Sequence, residues 1–457
     1  MLSRILATNS FTKPRPDKAR LLAYDLIRQV NREGAYANLR LPELLKESNL
    51  EQRDRALATE LSYGTLRLQG RYDYFISKVI DRPISELDEK IHDLLRMGVH
   101  QLEYMRIPDH AALDSTVELA RYVAGESKGS YVNAILRTIS RDTSIFASIQ
   151  SDPVLSDISK LSIAHSHPEW IVKAFYDLLK NWTLVEEALA IDNVPASPHI
   201  VAWPGKSTVE EILQTGGEPL LLTPYAVLSD HLPTEYPAIV ERRAGVQDVG
   251  SQLIANLFYR THSLDSTRKN WLDLCAGPGG KAALLYNLIE TSLPEDSFLA
   301  NEPLAHRAEL IARVVPSTKV LQLDGREPES FPHTFHRILV DAPCTGLGAL
   351  RRRPEARWRR TPNDLKNLVQ LQRELLDSAY TMLEPGGILA YATCSPHISE
   401  TTGQVLDHLH RHKDMSILRI EEIAPELAPL AKPDGTLQLW THRDGSDSMF
   451  LALLKKS

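Results

Sequence analysis

Apolar residues recur at helical spacing through KARLLAYDLIRQV (18–30), RALATELSYGTLRL (55–68) and HAALDSTVELARYVAG (110–125). A period near 3.6 puts them on one stripe of each helix. Residues 18–140 therefore predict an all-helical domain, arranged as a small bundle. Asp114 and Ser115 read as cap or first-turn residues, and Gly125 as a stop. The pattern then fails in RDTSIFASIQSDPVLSDISK (141–160), which is polar and aperiodic and carries a proline. Residues 141–170 read as a linker. HPEWIVKAFYDLL restores a helical period, and PHIVAWPG and STVEEILQTGG read as a strand and a capped helix. Residues 171–244 make a small α+β subdomain.

From 245 to 457 strands and helices alternate. NWLDLC, SFLANE, KVLQLDG, RILVDAP and GILAYATCS are strand-like runs. KAALLYNLIE, LAHRAELIARVV and LKNLVQLQRELLDSAYTML have the helical period. Such alternation predicts a mostly parallel sheet covered on both faces, a Rossmann-like α/β domain. LQLWTHRDGSDSMFLALLKK adds a hairpin, expected at the sheet edge.

Composition changes this picture little. Hydrophobic residues make up 43% of the 457 and charged residues 24%, as in ordinary globular proteins. No apolar run reaches the ~18 residues of a membrane span. Residues 1–17 lack the apolar core of a signal peptide and read as a basic lead-in. Three cysteines point away from a disulfide framework and toward a reducing, cytoplasmic setting. No cysteine–histidine group has zinc spacing, so no metal is expected. The net charge of −7 does not predict nucleic-acid binding, but charge is local. RRRPEARWRR (351–360) holds six arginines against one glutamate. It reads either as a phosphate-binding patch or as a solvated loop.

Candidate chemistry gathers at the ends of the predicted strands. LDLCAGPGGK (272–281) follows the first α/β strand and opens a helix. Its glycines permit a tight turn, and the free N–H groups of the helix start can receive an anionic or carboxylate-bearing cofactor. Glu302 ends the second strand, where a carboxylate can bind ribose hydroxyls. Asp324 ends the third and Asp341 the fourth. Ligands of open α/β sheets bind at these carboxyl ends. Neither a GxGxxG signature nor a P-loop is present, which favours S-adenosylmethionine over a dinucleotide or ATP.

Cys344 and Cys394 also stand at strand ends, while Cys275 lies inside the turn and reads as a small buried hydrophobe. Two thiols beside a cofactor turn suit methylation of carbon 5 of a pyrimidine. That carbon is a poor nucleophile until a thiolate adds at carbon 6. Spacing alone does not say which thiol attacks.

DLCAGPGGK, ANEPLAHR, LDGR, VDAPCTGLG, RRRPEARW and YATCS occur in the order of the signature segments of RNA cytosine-5 methyltransferases, which this chain resembles. GVQDVGSQ (245–252) is similar to a further segment of that family. ELSYGTLR, MGVHQLEYMRIPDHAALDSTVELAR and VNAILR resemble the NusB-like helical domain of the RsmB-like (Sun/Fmu) branch. The resemblance implies that Cys394 is the nucleophile, Cys344 assists product release and Asp341 contacts the target base. It places Cys275, Ala276, Gly277, Pro278, Gly279, Gly280 and Lys281 around S-adenosylmethionine. It gives Glu302 to the ribose and Asp324 to the adenine, with Asp341 beside the cofactor as well. The implied partner is RNA, a cytosine in 16S (small-subunit) rRNA, met by a monomer. Arg351, Arg352, Arg353 and Arg357 would bind phosphate, and Trp358 would stack on a base. Where relatives carry two acids and an asparagine after the second cysteine, this chain has Ser399, Glu400 and Thr401. Two other readings are a methyltransferase acting on tRNA, DNA or another polymer, and a catalytically silent RNA-binding module of antitermination type.

Overall fold

The computed structural model describes residues 15–264 and 269–457. All but the last three residues of the basic lead-in lie outside them. The chain divides into two compact units, one of Met1–Val172 with Arg352–Trp358, the other of Lys173–Arg351 with Arg359–Ser457. No helix among the described residues is long and apolar enough to cross a membrane.

The first unit is all helical. Its main helices are Lys18–Glu33, Ala37–Glu47, Gln52–Ser77, Glu89–Glu103, Asp109–Ala124 and Glu126–Arg141. Their apolar stripes meet in one core that includes Leu61, Tyr72, Phe75, Leu94, Leu119 and Leu136. Asp17 and Asp88 cap the first and fourth of these helices by accepting from Arg20 N–H and Lys90 N–H. Gly98 lets two helices close in, since a Cβ there would lie 2.5 Å from Leu136 Cδ1. The fifth helix starts at Asp109, directly after Pro108, so Asp114 and Ser115 sit in its second turn rather than at its cap. Gly125 ends it with φ +91°.

The expected linker is folded. Thr143–Ala147 is a 3₁₀ turn, and Ser148–Ser151 and Asp157–Ala164 are short helices. Ile145 and Ile149, four residues apart, are buried in the bundle core. Phe146, Leu155 and Ile163 pack against the same core, so scattered apolar residues dock a segment that is otherwise largely polar.

The second unit contains two sheets. The smaller is antiparallel, with strands β1 (His199–Ala202), β2 (Glu218–Pro219), β3 (Ala226–Leu228) and β4 (Ala244–Val246) in the order β2-β3-β1-β4. The expected boundary at 244/245 thus falls inside β4. The larger sheet comprises β5 (Asn270–Asp273), β6 (Ser297–Asn301), β7 (Val320–Leu321), β8 (Phe335–Asp341), β9 (Leu383–Thr393), β10 (Met415–Leu418), β11 (Leu437–Gln438) and β12 (Phe450–Lys456). Its order is β10-β12-β9-β8-β5-β6-β7, with β11 paired to β12. β5 to β9 are mutually parallel, and β12 joins β9 antiparallel. β12 is therefore internal, not an edge strand. Its run FLALL is buried throughout, as a strand covered on both faces must be. Order runs outward from β5 through β6 to β7 and, in the other direction, from β8 to β9. The switch point lies between β5 and β8, where such sheets bind ligands.

Candidate active site

The turn after β5 forms one side of the site. Gly279, at φ +114°, caps the helix Gly280–Ser292 in a conformation that favours glycine. At Gly277 a Cβ would sit 1.9 Å from Glu302 Oε2, so only glycine admits that carboxylate against the turn. Glu302 is buried at the end of β6. It accepts from Leu304 N–H at 3.0 Å and pairs with Arg307 at 3.3 Å. Arg307 also donates to the Gly277 carbonyl at 2.6 Å. Asn301, fully buried, joins three strand ends: it donates to Leu274 O and Leu323 O and accepts from Leu323 N–H. Gln247, from GVQDVGSQ, lies alongside Gly280. Asp324 sits at the rim, its carboxylate held by Arg326 at 2.6 Å, which keeps it below the usual carboxylate range.

β5 also brings Asp273 beneath the turn. It is fully buried and neither oxygen makes a full hydrogen bond. Burial first, and then the Asp341 charge, push its pKa up to about 8. S-adenosylmethionine fits these residues. Asp273, Glu302 and Asp341 line the pocket with carboxyl groups, and the buried Asp273 oxygens lack full hydrogen bonds, so the cofactor's ammonium and hydroxyls would find acceptors there. Cys275 is half-buried there, and burial, then Asp273, push its thiol well above its ordinary value, which disfavours the thiolate.

The other side of the site carries the thiols. β8 and β9 are in register with Asp341 opposite Ala392. Their loops leave the same edge, and Cys344 Sγ lies 3.4 Å from Cys394 Sγ. Gly348 N–H donates to the Cys394 carbonyl at 2.9 Å, tying the two loops together. A Cβ on Gly348 would come 2.0 Å from the Ser448 carbonyl. Lys281 Nζ, buried, contacts Asp341 Oδ2 at 2.9 Å. Burial would lower its pKa, but Asp341, with help from Cys394, raises it, so the ammonium persists. The Cys344 thiol is pushed well up by its hydrogen bond to Cys394, by burial and by the Cys394 and Glu400 charges. Either sulfur can donate to the other across this contact, and Cys394 lies within reach of the Lys281 charge.

The chain belongs to the RsmB/F family of 16S rRNA methyltransferases. Residues 263–455 match the model of that family, and 17–141 match the NusB family. The chain is 42% identical over 451 residues to a putative methyltransferase of Mycobacterium tuberculosis, covering 96% of this chain and 97% of that one. It is 30% identical over 456 residues to ribosomal RNA small subunit methyltransferase B of Pectobacterium atrosepticum, covering 96% and 98%. Among solved structures, PH0851 superposes with a TM-score of 0.79 at 21% identity, over 97% of this chain and 100% of that one. NSun6 of Pyrococcus horikoshii, solved with the S-adenosylmethionine analogue SFG, gives a TM-score of 0.50 at 15% identity, over 63% and 98%. As an RsmB/F member the protein is an S-adenosylmethionine-dependent methyltransferase with a NusB-like helical domain.

The arginine segment departs from the sequence reading. Arg357 is wholly buried in the first unit, where Nη1 faces the carbonyls of Arg67, Ser166 and His165 at 3.2–3.4 Å. It anchors that unit and does not present its charge to RNA. Trp358 is 37% exposed, and its indole lies against Gly70, where a Cβ would come 2.2 Å from the ring. Between them and the proline, Glu355 is buried and accepts from Ala37 N–H at 3.3 Å. In the second unit, Arg351 pairs with Asp447 at 3.5 Å and donates to Gly445 O at 3.0 Å. Arg352 is half-buried, and Arg353 is exposed.

Sequence reading named Glu400 but gave it no role. Glu400, within the short turn after Cys394, is fully buried and accepts from Thr345, Ser395 and Gln372. An acid in a polar run gave little signal of its own. One group among the described residues has metal-ligand composition: Asp377, His408 and His412. Arg411 already pairs with Asp377 there, so a guanidinium supplies the cation.

Proposed function

We propose that the protein methylates carbon 5 of a cytosine in small-subunit rRNA through a covalent adduct between Cys394 Sγ and carbon 6. The observation that carries this reading is the thiol pair, 3.4 Å apart where β8 and β9 end, on the same edge as the Lys281–Asp341 ion pair. RsmB/F membership supports the rRNA substrate. The turn Cys275–Lys281, Asp273 and Glu302 would hold S-adenosylmethionine, which supplies an electrophilic methyl group when bound. Cys394, whose charge the Lys281 ammonium can balance, would add at carbon 6 as its thiolate. Asp341, fixed by Lys281, faces the base as a hydrogen-bond acceptor for the cytosine edge. The target must leave its stack to reach these groups, which suits an unpaired or loop nucleotide. After methylation a water molecule takes the proton from carbon 5, the C–H electron pair restores the C5=C6 double bond, and the C6–S bond breaks with its pair on the Cys394 sulfur. The departing Cys394 thiolate then accepts a hydrogen bond from the Cys344 S–H, which lowers the barrier to release.

Cys394→Ala tests the assignment. Methyl transfer to small-subunit rRNA should fall about 10³-fold or more, with S-adenosylmethionine binding unchanged. Retained turnover would remove Cys394 as nucleophile. In the parent protein, product mapping should find 5-methylcytosine in that RNA.

A further inference from the structure

We propose that Glu400 is a positioning residue that holds Cys344 against the Cys394 sulfur, and so governs release of the methylated product. The inference rests on the covalent reading above.

The two cysteines are followed by Thr345 and Ser395, and both of these residues bind one carboxylate. Glu400 Oε1 accepts from Thr345 N–H at 2.8 Å and from Gln372 Nε2 at 3.0 Å. Oε2 accepts from Ser395 Oγ at 2.6 Å and from Thr345 Oγ1. All four partners are donors, matched to an acceptor-only carboxylate. Burying a charge requires such compensation. The backbone of Glu400 is fixed as well, its carbonyl accepting from Tyr391 Oη at 2.8 Å.

The cluster bears unequally on the two loops. Cys394 directly extends β9, whose ladder already sets its place. Cys344 lies beyond the end of β8, on a loop that needs other support. Thr345 gives Glu400 both its N–H and its hydroxyl, and Gln372 spans from Glu400 to the Pro343 carbonyl at 2.9 Å. The residues on either side of Cys344 are therefore both tied to Glu400, one directly and one through Gln372. On the Cys394 side only Ser395 reaches the carboxylate; Thr393 donates to the Glu400 backbone carbonyl at 3.5 Å, a contact that does not depend on the carboxylate. Loss of the carboxylate should free Cys344 far more than Cys394.

The consequence is a stalled second step with an intact first one. In Glu400→Gln the side-chain amide would point donors at donors and scatter the cluster. Attack by Cys394 would proceed, but Cys344 would no longer face the sulfur that must leave. A displacement of about 1 Å in such a group lowers the rate on the order of 10²-fold.

The test compares Glu400→Gln with Cys344→Ala on full-length protein incubated with S-adenosylmethionine and unmodified small-subunit rRNA. Adduct is read on a denaturing gel, and cofactor binding by calorimetry. We expect Glu400→Gln to bind the cofactor as the parent does, to turn over on the order of 10²-fold more slowly, and to accumulate adduct that Cys394→Ala abolishes. A merely structural role would lower activity without trapping RNA. Turnover at the parent rate without adduct, or lost turnover without adduct while cofactor binds, would overturn the proposal, provided that Cys344→Ala does trap RNA. If Cys344→Ala traps nothing, the assignment of attack to Cys394 and release to Cys344 fails, and this proposal fails with it. Should Glu400→Gln lose cofactor binding, Thr345→Val removes one hydroxyl from the cluster and is expected to trap a smaller amount of adduct. Parent-rate turnover without adduct in that variant would equally overturn the proposal.

Discussion

The thiol edge and the arginine segment lie close together in sequence, yet they obey different rules. Cys344 and Cys394 are placed by strand register: β8 and β9 pair with Asp341 opposite Ala392, and the residues that follow must emerge together. Their chemistry follows from topology, because parallel strands deliver their carboxyl ends to one edge. The arginines of 351–360 have no such constraint. Two of those assigned to RNA found partners within the protein: Arg357 among backbone carbonyls, and Arg351 beside Asp447. A residue type at a strand end is strong evidence of function, whereas a charge run in a loop states only that charges exist. A guanidinium, with its five donors, satisfies buried carbonyls as readily as it binds phosphate.

The comparison can be broken most forcefully at Arg357. Arg357→Ala removes a buried donor from three carbonyls and should destabilise the protein by about 3 kcal/mol, read from urea denaturation. Unchanged stability with weakened RNA binding would return Arg357 to the RNA-facing set. A second probe concerns the buried acid at the catalytic edge. Asp273 has its pKa raised to about 8 by burial and then by Asp341. The folded state thus holds a proton that the unfolded state releases in the ordinary carboxyl range. Stability from this group is fully present at low pH and is lost as pH rises from about 4 to about 8. In the cofactor-free protein, Asp273→Asn should therefore lose less Tm than the parent between about pH 6 and about pH 8, the upper part of that window. An identical decline in both would remove Asp273 as the source. The smallest effect belongs to Arg353, the exposed arginine of the segment. Arg353→Ala should weaken RNA binding by less than about tenfold and reduce the salt slope by about one. No change in slope would take this arginine, too, out of the RNA contact.

Much of the catalytic edge was legible because its signals are local. A glycine turn between a strand and a helix, and acids or thiols at strand ends, specify their own positions. What escaped is non-local. Glu400 shows its role only when Thr345, 55 positions earlier in the chain, folds against it. Asn301 looks like any polar strand terminus until Leu274 and Leu323 are brought to it. The folded stretch after Arg141 is hard to read because Ile145, Phe146, Ile149 and Leu155 sustain no single period. β12 was placed at an edge because a hairpin is the simplest use of a terminal pair, although its unbroken apolar run is the mark of an interior strand.

The central claim is that Cys394 attacks and Cys344 releases. Its most direct test is Cys344→Ala produced in bacteria and examined on a denaturing gel. The account predicts a protein–RNA adduct that survives denaturation and vanishes in the double variant with Cys394→Ala. Methyl transfer at the parent rate with no adduct would show that Cys344 is dispensable. Loss of both transfer and adduct, with cofactor still bound, would contradict the account and make Cys344 the attacking thiol.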